Sequence, residues 1–130
     1  NLNGTILKPK MILPGNISTI KSSVEDIAKL TLKCLKENVP SEVPGIAFLS
    51  GGKTEIEATQ NLNEINKIND TNFAMTFSYG RALQQSALKH WGKNQEDILN
   101  IQKIFNHRAK MNSLSTSARW TEDLDKLNIQ

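Results

Sequence analysis

Residues 45–57 read Gly45-Ile46-Ala47-Phe48-Leu49-Ser50-Gly51-Gly52-Lys53-Thr54-Glu55-Ile56-Glu57, and this stretch decides the fold. It opens with an unbroken apolar run, the pattern of a parallel strand buried on both faces. The run breaks at a serine and two glycines. Thr54 and Glu57 then have the spacing of a capping box, in which each side chain satisfies a free N–H of a first helical turn. Ala58, Leu62 and Ile65 follow at helical spacing. The same unit recurs on either side. Before it, Thr5-Ile6-Leu7-Lys8 forms a strand stopped by Pro9, which offers the ladder no donor. After a loop through Pro14-Gly15, Ser22 and Glu25 have capping-box spacing, and Val24, Ile27, Ala28, Thr31, Cys34 and Leu35 form an apolar helical face that ends at Val39-Pro40. After it, Phe73-Ala74-Met75-Thr76-Phe77 predicts a third strand. Its helix carries Leu83, Ala87, Leu88 and Trp91, with Gly92 at the C-cap. A further helix near residues 95–112 has Glu96 and Asp97 at its start and Arg108 and Lys110 at its end, which suits the helix dipole. After Leu114 the periodicity fades. The division expected is therefore 1–114 as part of a domain and 115–130 as a C-terminal tail.

Strand-then-helix units in sequence mean an α/β fold with parallel strands and right-handed crossovers. Three parallel strands leave two open edges and cannot close a barrel, so the period is compatible with a small open sheet or with part of something larger. The chain has 130 residues, 38% hydrophobic and 22% charged, the profile of one soluble globular domain. No apolar run approaches the roughly 20 residues needed to span a bilayer, so no membrane partner is expected. The single cysteine, Cys34, is assigned to the core and excludes a disulfide framework and a thiolate zinc site. His90 and His107 are read as surface or packing residues, so neither a metal site nor a Ser–His–acid triad is proposed. A net charge of +3 is too small to indicate nucleic acid and fits a small anionic ligand. Asn3, Asn16 and Asn69 begin Asn-x-Ser/Thr triplets, read as chance. With no secretory signal at the start, the compartment expected is cytoplasmic.

In parallel α/β folds ligands bind beyond the carboxyl ends of the strands. That rule selects Lys8, Ser50-Gly51-Gly52 and Ser78-Tyr79-Gly80-Arg81. Each of the two glycine loops joins a strand end to a helix start, where free N–H groups attract an anion. Glycine permits close backbone approach, and Arg81 can add a bidentate contact. The plainer alternative is that the glycines only make the turns. Lys8 ends an apolar strand. Desolvation there would lower its pKa and leave a neutral amine able to attack a carbonyl, while the plainer reading is a solvated lysine at a strand end.

At these residues the sequence resembles a known family. Gly4-Thr5-Ile6-Leu7-Lys8-Pro9-Lys10-Met11, Phe48-Leu49-Ser50-Gly51-Gly52 and Phe77-Ser78-Tyr79-Gly80-Arg81-Ala82-Leu83-Gln84 closely resemble the class I fructose-1,6-bisphosphate aldolases. Glu57-Ala58, Asn61-Leu62-Asn63, Ser86-Ala87-Leu88-Lys89 and Asn112-Ser113-Leu114 fit as well, so the resemblance covers about residues 2–114. It implies the last three units of a (β/α)8 TIM barrel, followed by a C-terminal helix and tail. It implies Lys8 as the Schiff-base lysine, and Ser50, Gly51, Gly52, Ser78, Gly80 and Arg81 as holders of a substrate phosphate. It implies a metal-independent reaction without cofactor, the glycolytic cleavage of fructose 1,6-bisphosphate to triose phosphates by a cytoplasmic homotetramer. The partners expected are these substrates, the remainder of the barrel or a second chain, and further copies in a homo-oligomer.

The departures from the family bear on activity. The first five strands of the family barrel lie outside these residues, and with them the carboxylates and further lysines that transfer protons. Asn3 stands where the family usually has glutamate and Lys10 where it usually has asparagine; the family's terminal tyrosine has no counterpart. One alternative function is therefore a non-catalytic binding or structural fragment that retains the phosphate loops. Another is a lyase for a different sugar phosphate. A carboxylate within reach of Lys8 separates catalysis from binding, and Glu55 and Glu57 both look like helix caps.

Overall fold

The central strand forms where the apolar run stands. The computed structural model describes residues 1–126. After a 3-10 turn at Leu2–Gly4 come β1 (Ile6–Leu7), α1 (Val24–Asn38), β2 (Gly45–Phe48), α2 (Glu55–Ile68), β3 (Ala74–Phe77), α3 (Arg81–Trp91), α4 (Ile98–Thr116) and α5 (Glu122–Asp125). The sheet order is β1-β2-β3 with both pairings parallel, as the repeated unit predicts. Ile46 is level with Met75 and Phe48 with Phe77, and Leu7 is level with Ile46. This face meets α1 and α2 through a core of Met11, Ile27, Leu35, Ile46, Phe48, Leu62, Ile65 and Met75. The other face carries Ile6, Gly45 and Ala74 side by side, then Ala47 and Thr76. Ala74 and Thr76 are exposed, Gly45 and Ala47 half-buried, and Ile6 is 68% exposed. Burial on both faces of β2 is thus met on one face only, because the core side chains of α1 and α2 pack there and nothing among the described residues covers the small side chains of the other.

Several local expectations change. Ser22 and Ser23 each have an acid three residues on, so spacing alone could not choose the cap. Ser23 takes the role, accepting from Asp26 N at 3.1 Å. Thr54 and Glu57 form the predicted capping box. Cys34 is exposed, because Thr31, Leu32 and Leu35 occupy the buried stripe of α1. Gly92 caps α3 with a right-handed φ of −63°, so the left-handed cap is not used. Ala82 and Ala87 are the buried residues of α3, while Leu88 and Trp91 stay about half exposed. Asp97 binds His90 at 2.7 Å and receives Asn100 Nδ2 at 3.1 Å, which hold it ahead of α4. The His90 contact is the main cause that lowers its pKa. α4 starts at Ile98, without acids in its first turn or bases in its last, so the dipole pairing does not hold.

Arg108 is instead buried, and it organises the helical layer. Its Nη1 and Nη2 donate to the two Asp125 carboxylate oxygens at 2.9 and 2.6 Å. Asp125 Oδ2 also receives Trp120 Nε1 at 2.6 Å, and Trp120 N donates to Asn63 Oδ1 at 3.0 Å. Asn66 Nδ2 reaches the carbonyls of Met75 and Ser115 at 3.2 and 3.1 Å. From Ser115 to Lys126 the chain is therefore fastened to α2 and α4 through Ser115, Trp120 and Asp125. Residues 127–130 of the expected tail lie outside the described residues. Truncating Asp125 leaves the buried Arg108 with only the longer contact to Glu55, at 3.6 Å, to offset its charge. Asp125→Ala is expected to lower unfolding free energy by about 3–5 kcal/mol, read by urea titration with tryptophan fluorescence. A change below about 1 kcal/mol, the range of an exposed pair, would show that the pair does not fasten the layer.

Candidate functional site

The three strand ends lie along one rim. Leu49 N donates to Pro9 O at 3.0 Å, and Ser78 N donates to Phe48 O at 2.7 Å, so each loop leaves the sheet beside the next. The β1–β2 register of Ile6 with Gly45 and Leu7 with Ile46 is resumed by a bridge between Lys10 and Leu49. The same offset puts Lys8 level with Ala47, on the face that no helix covers. Alternation along the strand agrees, since Lys8 is two residues from Ile6. Lys8 is exposed in this chain. No carboxylate lies within ion-pair distance of it among the described residues.

The two carboxylates weighed as partners for Lys8 are engaged elsewhere. Glu55 accepts Ser86 Oγ at 2.6 Å and Ser86 N at 3.3 Å, and lies 3.6 Å from Arg108 Nη2. Glu57 accepts Thr54 N and Oγ1, each at 3.0 Å, and lies 3.6 Å from Lys53 Nζ. The backbone hydrogen bond from Thr54 is the main cause that lowers its pKa. Glu57 caps α2 as its spacing suggests, whereas Glu55, also read as a cap, instead ties α2 to α3 through Ser86.

The two glycine loops are built differently. Gly51 and Gly52 have φ of +63° and +83°, so left-handed backbone itself calls for glycine. At Gly51 a Cβ would also meet Lys10 Cε at 3.0 Å and Leu13 Cδ1 at 3.2 Å. Gly80 has φ of −87°, and a Cβ there meets nothing within 4 Å. Arg81 and Ser78 are exposed beside it. The loop is held by Tyr79, whose buried ring lies 5.3 Å from Phe77 and whose hydroxyl donates to Ala58 O at 3.0 Å. Burial pushes the Tyr79 hydroxyl's pKa well up, so it stays protonated and keeps donating. This anchor is absent from the sequence reading. Its signal is an aromatic residue between a serine and a glycine in an otherwise polar turn. No group of His, Cys, Asp and Glu suited to a metal occurs among the described residues, nor does any helix long and apolar enough to cross a membrane.

The contrast between the loops is testable. Gly51→Ala is expected to cost about 1–2 kcal/mol, the penalty of a left-handed non-glycine residue, whereas Gly80→Ala should leave the melting temperature within error. Equal destabilisation by thermal denaturation would contradict the two geometries.

Comparison with known proteins bears on the same residues. Residues 1–129 match the family described as Fructose-bisphosphate aldolase class-I. The chain is 50% identical over 123 residues to "Fructose-bisphosphate aldolase 4, cytosolic" of Arabidopsis thaliana, covering 94% of this chain and 31% of that protein. It is 51% identical over 112 residues to "Fructose-bisphosphate aldolase 2" of Caenorhabditis elegans, covering 85% and 31%. Among solved structures it is similar to the fructose-bisphosphate aldolase of Plasmodium falciparum, solved with TRAP and a small-molecule inhibitor. That match has a TM-score of 0.88 and 42% identity, covering 92% of this chain and 35% of that one. The chain thus spans about a third of the length of these relatives.

Proposed function

The chain belongs to the class-I fructose-bisphosphate aldolase family, and from that premise we propose that it supplies the Schiff-base lysine and phosphate loops of a glycolytic lyase. The reaction is reversible cleavage of fructose 1,6-bisphosphate into dihydroxyacetone phosphate and glyceraldehyde 3-phosphate. The observation that carries the reading is the position of Lys8, on the uncovered face of the sheet and on the same rim as both glycine loops. Its amine adds to the ketose carbonyl, and the carbinolamine, protonated on its hydroxyl by a group from the remainder of the barrel, loses water to leave a protonated imine. That imine accepts the electron pair when the carbon–carbon bond breaks, and water later releases the product. The groups that accept and return protons come from the remainder of the barrel, since Glu55 and Glu57 are engaged elsewhere. The open space at Gly80 supports phosphate binding, because neither φ nor packing demands glycine there and close approach of a ligand does. Ser50, Gly51, Gly52, Ser78 and Arg81 complete that cradle. A cytoplasmic homo-oligomer fits this reading, and a relative carries the name cytosolic.

That no carboxylate among the described residues pairs with Lys8 favours one second reading. By itself the chain binds phosphate without turnover, and catalysis requires a further segment or chain over the open face. Borohydride with dihydroxyacetone phosphate is expected to trap an adduct on Lys8 in the complete protein, and Lys8→Arg to abolish it. Peptide mapping that places the adduct on another lysine overturns the assignment. Arg81→Ala should weaken bisphosphate binding by about 1.5–3 kcal/mol, the contribution of a charge-assisted hydrogen bond. Calorimetry against an uncharged ketose should show no such loss; equal loss for both ligands removes Arg81 from the phosphate site.

A further inference from the structure

We propose that the cavity between the loop after β1 and the loop after β2 is a second anion subsite, taking a phosphate monoester or a similarly small, multiply charged anion. It lies on the opposite flank of the Gly51-Gly52 turn from Ser78 and Arg81, because β2 separates β1 from β3. The cavity has a volume of about 530 Å³, and Lys10, Lys21 and Lys53 all line it. Glu57 is its one carboxylate, and that charge is already shared between the Thr54 amide and Lys53. Lys10 and Lys21 have no ion-pair partner among the described residues. Three lysines line the cavity against one carboxylate, and a bound anion offsets that excess of positive charge. The Lys10 stem runs along the turn, its Cε and Cγ 3.0 and 3.3 Å from where a Gly51 Cβ would stand, and the residue remains exposed to an incoming anion. The helix starts nearby play no part, since the Ser23 and Thr54 side chains already cap them.

The subsite shares the Gly51-Gly52 turn with the proposed phosphate cradle but alone uses the loop after β1, so that loop reports on it. Inorganic phosphate is the probe, added to the complete protein while the amide signals of residues 15–22 and 78–81 are followed by NMR. In the wild type both groups should shift and saturate. In K10Q/K21Q the shifts at 15–22 should require about tenfold more phosphate, with those at 78–81 unchanged. R81A should give the converse, and failure at 78–81 alone counts against the aldolase reading while leaving the subsite. Unchanged titration at 15–22 in K10Q/K21Q overturns the subsite. So do the same shifts produced by sodium chloride at matched ionic strength.

Discussion

Everything at the rim depends on β2 being hydrogen-bonded on both sides. A central parallel strand fixes its neighbours in register, and that register brings Lys8, the Ser50–Gly52 turn and the Ser78–Arg81 turn to one end of the sheet. Pro9 interrupts the ladder between β1 and Lys10, yet pairing resumes at Leu49. The interruption leaves β1 only two residues long. It does not shift the offset, so Lys8 keeps the open face.

The helical layer is held by different physics. Its interior contains Thr59, Asn61, Asn63, Arg108, Asn112, Ser115 and Asp125, all buried. Such groups are tolerated inside only where they are bonded. Most are: Arg108 grips Asp125, Asn63 takes the Trp120 amide, and Thr59 Oγ1 lies 2.7 Å from Asn112 Oδ1. The network joins residues of α2 to residues beyond α4. It therefore fixes where α2 stands, and α2 in turn holds Tyr79 and the loop that carries Arg81.

This division explains what could be read from the sequence. The strands, the Thr54–Glu57 cap and the rim residues follow from period and spacing, which are local properties. The asparagines of α2 carry no periodic signal, because partners such as Ser115 for Asn66 and Trp120 for Asn63 lie 49 and 57 residues away in sequence. Arg108 looked like a helix-end cation, since spacing describes position along a helix and not what packs against it. Cys34 misled for a related reason: its place at the margin of the apolar stripe became visible only once α2 had chosen which side of α1 to cover. The difference between Gly51 and Gly80 was hidden too, since one letter stands for both a strained backbone and an empty space.

The uncovered sheet face has a consequence in volume. Apart from Ile6 its residues are small: Gly45 beside Ala74, and Ala47 beside Thr76. Protein interiors fill space as densely as organic crystals. A surface of small side chains therefore reaches that density only against large ones. A layer packed on this face at that density would have to supply the bulk itself.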